Sequence, residues 1–245
     1  MDASDTLAPS VPPDLMIIMP AYNEQASVRK VVMEWFQEVE NWTENFIFLA
    51  IDDGSKDRTA QVLGRLREQI GPRLEICVQT NRGHGQSCLA GYRTAIERKA
   101  SFILQIDSDG QCDPQYFFRF WRMRDQYDVI YGNRVRRDDG WRRIVASIIL
   151  KWTLFIFARA LCADANVPYR LMRTEKLASI ISKIPADFFL ANVALAVLLR
   201  REPDVRHHAI PIRFRERYGG EPSVALGKFG EKARELIVQI RKLEQ

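Results

Sequence analysis

The sequence predicts an α/β fold: a mostly parallel sheet covered by helices on both faces, in a single domain. Two observations carry that expectation. Short apolar runs alternate with amphipathic stretches of helical period, and each of the first four runs ends in a polar turn. The 245 residues suffice for one substantial core, and 47% apolar with 27% charged residues is the balance of a folded protein.

Residues 1–13 are polar and proline-bearing, and no Lys or Arg precedes Arg29. Without the basic start and apolar run of a signal peptide, they read as a flexible tail on a cytoplasmic chain. Residues 15–19, 46–51, 74–78, 102–106 and 129–131 read as buried strands. Between the first two, Val28, Val31, Val32, Trp35, Phe36 and Val39 fall on one helical face. Further helices are expected over 57–69 and 86–98. The second half is less regular. Residues 141–161 are strongly apolar, 174–182 and 188–200 read as helices, 208–214 as a strand, and 226–240 as a last amphipathic helix. No repeat or linker divides residues 14–245.

Cys77, Cys88, Cys112 and Cys162 form no C-x-x-C pair and have no zinc-like spacing with the three histidines. They read as buried thiols in a reducing compartment. The adjacent His207 and His208 would face opposite ways on a strand, which favours a structural role over metal binding. A net charge of +5 is a mild basic excess. It hints at an anionic partner, and no nucleic acid is expected.

In parallel sheets, ligands gather at the carboxyl ends of the strands. The turns there are Pro20-Ala21-Tyr22-Asn23-Glu24, Asp52-Asp53-Gly54-Ser55, Asn81-Arg82-Gly83-His84-Gly85 and Asp107-Ser108-Asp109-Gly110-Gln111. At a strand end turned by Gly110, Asp107 and Asp109 can address one hard cation. Such an ion would neutralise a departing diphosphate. The alternative is a polar turn before a helix starting at Asp113-Pro114. A carboxylate of Asp52-Asp53 could accept from a nucleobase or ribose, or simply belong to a turn capped by Ser55 or Asp57. Gly83 and Gly85 would let backbone approach a phosphate, with Arg82 to pair with it.

Taken together and in this order, the four turns resemble those of the family 2 glycosyltransferases of the GT-A fold, over about residues 14–135. The resemblance implies a site for a nucleotide sugar, UDP- or GDP-linked. Pro20, Tyr22 and Glu24 would line the base pocket, Asp52 and Asp53 would meet the nucleoside, and Arg82 and Gly83 would lie near the phosphates. Asp107 and Asp109, with Gln111 nearby, would hold Mg²⁺ or Mn²⁺. The half from 136 to 245 would face the acceptor and the membrane. There Gly132-Asn133-Arg134, Trp141-Arg142-Arg143 with Ser147, residues 164–170 and Arg217-Tyr218-Gly219-Gly220-Glu221 resemble polyprenyl-phosphate sugar synthases. The resemblance implies that Arg134, Arg143 and Ser147 hold a lipid phosphate, with Arg170 and Arg217 as further acceptor candidates. Two departures mark the chain. Gly220-Glu221-Pro222-Ser223 stands where relatives read Gly-Glu-Ser-Lys, and Val167-Pro168-Tyr169-Arg170 where many read Ser-Gly-Phe-Arg.

Arg134, Arg136, Arg137, Arg142 and Arg143 crowd one region before the apolar residues 144–158, which contain Lys151. Fifteen helical residues span about 22 Å, short of a roughly 30 Å hydrocarbon core, so no crossing is expected. The segment could lie in the interface, anchored by Trp141 and Trp152, or pack as a core helix. The expectation is a peripheral protein of the cytoplasmic membrane face, helped by a membrane-anchoring partner or a homo-oligomer.

A phosphate acceptor is already a nucleophile near neutral pH, so no strong base is needed. Family resemblance implies single displacement with inversion. A hydroxyl acceptor would need a base, for which Asp164 is the candidate. The competing readings are a family member acting on a hydroxyl, a silent nucleotide-binding protein, and a haloacid-dehalogenase-type phosphatase. The last places its Asp-x-Asp after the first core strand, whereas here it follows the fourth.

Overall fold

The computed structural model describes residues 11–134, 167–184 and 191–219. Among these residues seven strands form one sheet: β1 (Leu15–Ala21), β2 (Phe46–Asp52), β3 (Leu74–Val78), β4 (Phe102–Gln105), β5 (Val129–Arg134), β6 (Arg170–Arg173) and β7 (His207–Ile212). Their order is β3-β2-β1-β4-β6-β5-β7. Strand β6 runs antiparallel to both β4 and β5, and every other pairing is parallel. All strands except β6 therefore point their carboxyl ends to one edge, and β6 brings its first residue, Arg170, to that same edge beside Gln105. The chain order reverses at β1, which lies between β2 and β4; such a reversal opens a crevice at the strand ends.

Alternation along β1 and β2 divides the core. Met16, Ile18, Ile47, Leu49 and Ile51 face α3 (His84–Glu97), α5 (Thr174–Ile181) and α6 (Ala191–Arg201). Leu15, Ile17, Met19, Phe46 and Phe48 face α1 (Val28–Glu40), α2 (Thr59–Ile70) and α4 (Phe117–Met123), the last preceded by a 3₁₀ turn at Pro114–Tyr116. Strands buried on both faces need no polar alternation, which is why they read as continuous apolar runs. The buried face of α1 is the one its periodicity predicts: Val28, Val31, Val32, Trp35, Phe36 and Val39. Gly91 lets α3 approach the sheet closely, since a Cβ there would lie 2.3 Å from Ile18 Cγ2.

Two expectations are corrected, and one strand is added. Strand β3 is an edge strand rather than a buried one, with Val78 64% exposed, because among the described residues no strand lies beyond it. Cys77 on that edge is accordingly exposed, while Cys88 and Cys112 are buried. Strand β6 was not anticipated: Arg-Leu-Met-Arg is too short and charge-bounded to read as a strand, and its neighbours in the sheet pair it into place. His207 and His208 are structural, the first meeting the Leu199 carbonyl at 3.1 Å and the second stacking on Tyr127 at 4.5 Å. The final helix over 226–240, the apolar stretch 141–161 and Cys162 lie outside the described residues, as do the first three residues of the helix expected over 188–200. Among the described residues, no helix is long and apolar enough to cross a membrane.

Candidate active site

The turns after β1 and β2 are tied to each other before they can hold anything else. Asn23 takes a positive φ of 56°, which lets its N–H donate to Ser55 Oγ at 3.0 Å while its Oδ1 accepts from Lys56 N–H at 2.8 Å. Gln25 N–H donates to Asp57 Oδ2 at 3.1 Å, and Glu24 N–H to Thr59 Oγ1 at 2.8 Å. Tyr22 is left 39% exposed at this edge, whereas Pro20 is buried inside β1 opposite Ile51.

Asp52 and Asp53 are both buried. Asp52 Oδ1 accepts from Ser55 N–H at 2.9 Å. Asp53 Oδ1 accepts from Gln79 Nε2 at 2.8 Å and Arg82 N–H at 2.9 Å, and its Oδ2 from Gly83 N–H at 2.8 Å. Asp53 thus shapes the loop leading into α3. The Arg82 and Gly83 N–H groups are both engaged by this carboxylate. The exposed Arg82 side chain stays at the edge.

The turn after β4 differs. Asp107 Oδ1 is buried without a hydrogen-bond partner among the described residues, with His84 Nε2 3.7 Å away. Burial raises the Asp107 pKa, Asp109 adds to the rise, and His84, Arg217 and Arg134 oppose it. Asp109 Oδ1 accepts from Gln111 N–H at 2.9 Å, and Arg217 Nη1 lies 3.5 Å from its Oδ2. The other terminal nitrogen of Arg217 donates to Glu24 Oε1 at 3.1 Å. Glu24 also accepts from Ser27 Oγ at 2.5 Å. Its pKa is raised by burial first, with Asp109 and Asp107 contributing, against Ser27 and Arg217. Glu24 is thereby linked through Arg217 to Asp109. Cys88, 3.6 Å from His84, and Asp107 together hold the imidazole pKa above its ordinary value.

A segment after β7 straps this turn. Arg215 N–H donates to the Gln111 carbonyl and Tyr218 N–H to the Asp109 carbonyl, each at 3.0 Å. Arg215 and Tyr218 then both bond Glu34 on α1, at 2.7 Å and 3.0 Å. Gly110, at φ 84°, is packed under the Tyr218 ring, which a Cβ would approach to 2.4 Å. Glu34, Arg215 and Gln79 carry no motif and were missed in the sequence.

At the same edge, Arg134 ends β5 with its guanidinium 5.2 Å from the Phe214 ring. Arg170 is buried, and its Nη1 donates to the Asn192 carbonyl at 3.4 Å. Behind it, Tyr92 donates to Gln105 Oε1 at 2.6 Å and contacts Asn192 Oδ1 at 3.1 Å, a polar floor under the strand ends. Gln111 stands at the turn, half-buried. Arg143, Ser147 and Asp164 lie outside the described residues.

The residues fit a divalent cation. Asp107 and Asp109 offer hard oxygen donors, and the Asp107 oxygen that lacks a hydrogen-bond partner among the described residues is an acceptor that burial makes costly to leave unmet. Among the described residues, no group of three or more His, Cys, Asp or Glu could hold a metal alone. An ion here must draw further ligands from water and substrate phosphate, as Mg²⁺ characteristically does.

A mostly parallel sheet with acidic turns gathered at its carboxyl edge defines the GT-A class of glycosyltransferase folds. Residues 16–189 match the model of Glycosyl transferase family 2, and the chain belongs to that family. Glucosyl-3-phosphoglycerate synthase of Mycobacterium tuberculosis, crystallised with Mn²⁺, UDP-glucose and phosphoglyceric acid, superimposes with a TM-score of 0.66 at 13% identity, covering 95% of this chain and 80% of that one. That likeness shows the fold. The undecaprenyl-phosphate 4-deoxy-4-formamido-L-arabinose transferase of Edwardsiella ictaluri is 26% identical over 215 residues, 86% of this chain and 63% of the relative. The enzyme of the same name from Pseudomonas paraeruginosa is 32% identical over 137 residues, 54% of this chain and 39% of the relative. The chain thus spans less than two thirds of these relatives' length.

Proposed function

We propose that this domain transfers a sugar from a UDP- or GDP-linked donor to a polyprenyl phosphate at a membrane surface, with inversion and with Mg²⁺ or Mn²⁺ at Asp107 and Asp109. The observation that carries the reading is the buried Asp107 oxygen, with no hydrogen-bond partner among the described residues, beside Asp109 at the carboxyl edge of the sheet. The undecaprenyl-phosphate relatives support the acceptor class.

When bound, the ion would supply charge neutralisation to the departing diphosphate. The chain's residues supply position and field. Asp52 and Tyr22 would meet the nucleoside, with the loop beside them stiffened by Asp53. Arg134 and the buried Arg170, on the strands beyond β4, would add positive charge on the side where an acceptor phosphate would approach. A phosphate monoester has a second pKa of about 6 and is largely dianionic at pH 7, so orientation and electrostatics suffice without a general base. The protein would meet its lipid peripherally, alone or through an anchoring partner or a second copy.

The test is a turnover panel of UDP- and GDP-sugars with a short polyprenyl phosphate, with and without Mn²⁺ or Mg²⁺, the anomeric configuration of the product being read by NMR. Metal-dependent formation of an inverted lipid-phosphate sugar is expected. Transfer only to hydroxyl acceptors would overturn the acceptor assignment, and nucleotide binding with no turnover at all would overturn the enzyme reading.

A further inference from the structure

We propose that Arg217 couples cation binding to donor binding, holding a divalent ion weakly at Asp109 until a diphosphate arrives to share both charges. The inference rests on the cation site proposed above and assigns Arg217 a role beyond acceptor contact.

Arg217 bridges two carboxylates from different strand ends, Glu24 at 3.1 Å and Asp109 at 3.5 Å. A cation on Asp109 would meet a guanidinium already compensating that carboxylate. Asp109 is only 7% exposed, so solvent screens the repulsion poorly. Arg217 cannot relieve it by losing its proton. Nor can it swing away freely, because its neighbours Arg215 and Tyr218 are bonded to the Gln111 and Asp109 carbonyls and to Glu34.

Arg217 also has an unmet need. Its Nε is buried and has no hydrogen-bond partner among the described residues. A diphosphate answers both features, since its anionic oxygens can accept from the guanidinium while ligating the ion. Repulsion between two cations then becomes attraction of both to one anion. By linkage, whatever factor the diphosphate adds to ion affinity, the ion adds to diphosphate affinity. Arg217 is a positioning residue in this account, and the ion is retained chiefly in the company of the donor.

The experiment is titration of the full chain with Mn²⁺, free ion being read by electron paramagnetic resonance, alone and with UDP or GDP. Wild type, Arg217→Gln, Arg217→Met and Arg217→Lys are compared, with circular dichroism to check folding. Removing the charge should tighten binding of Mn²⁺ alone about tenfold and shrink the nucleotide's enhancement by a similar factor. Arg217→Lys, which keeps the charge, should retain the wild-type pattern. A merely structural arginine gives the opposite sign, since its loss would loosen the carboxylates. Unchanged or weaker binding of Mn²⁺ alone by both neutral variants, or by the one that folds, overturns the coupling while leaving the cation site standing. Failure of the wild type to bind Mn²⁺ under any condition overturns the site itself.

Discussion

Asp52-Asp53 and Asp107-Ser108-Asp109 each follow an apolar strand and precede a glycine of positive φ, 71° at Gly54 and 84° at Gly110. Their oxygens behave differently. At the end of β2, Asp53 accepts from three donors on the 79–83 loop, and Asp52 accepts from Ser55. At the end of β4, Asp107 has an oxygen with no hydrogen-bond partner among the described residues, and Asp109 is balanced by a side chain from the far end of the sequence. Similar motifs thus divide the work. One acid largely builds the edge, and the other pair is held ready at it, at a cost in local stability that points to a ligand.

The largest effect that would test this contrast is Asp109→Asn, which should lower turnover by about a thousandfold or more while leaving the thermal midpoint near wild type. A variant that keeps its activity would erase the distinction. Next is Asp53→Ala, expected to destabilise the chain by about 3 kcal/mol in urea unfolding, because it strands two backbone N–H groups and one hydrogen of the Gln79 amide, whose other bond is to Ser87. If it costs nothing, Asp53 is not the builder of the edge. Gly110→Ala should cost about 2 kcal/mol, as a side chain at positive φ is strained and would displace Tyr218 from Glu34; differential scanning calorimetry would read it.

The smallest effect belongs to a third acid at the opposite edge, Asp128, just before β5. Burial raises its pKa, but the Arg206 side chain and backbone N–H outweigh that and hold it below the ordinary carboxylate value. A depressed carboxylate stabilises the fold above its unfolded pKa of about 3.9, and that contribution is lost as pH falls through the lower folded value. Asp128→Asn should therefore cost about 1 kcal/mol at pH 7, discounted because Arg206 is exposed, and the difference should vanish in acid.

How much of this could be read from the chain follows the same division. Parallel strands buried on both faces announce themselves as apolar runs, so β1, β2 and β4 and the turns after them were legible, as was the buried face of α1. The roles within those turns were not. Nothing local distinguishes Asp53 from Asp52, because Asp53's partners sit 26 to 30 residues away in a loop whose path the sequence does not specify. The Tyr218–Glu34 contact spans 184 residues and pairs ordinary surface residue types. Strand β6 was hidden for a related reason: its four residues depend on pairing with β4 and β5 rather than on a pattern of their own. Glu24 was expected at a base pocket because the family resemblance implied that place for it, beside Pro20 and Tyr22. The arginine that draws it toward Asp109 lies 193 residues on.

The most direct measurement is anomalous diffraction from a crystal grown with Mn²⁺ and a nucleoside diphosphate. The account predicts a manganese peak ligated by Asp107 or Asp109 and by diphosphate oxygens, with Asp53 still bonded to the Arg82 and Gly83 N–H groups. A manganese ion ligated by Asp52 or Asp53, or a diphosphate bound away from the β4 turn, would contradict it.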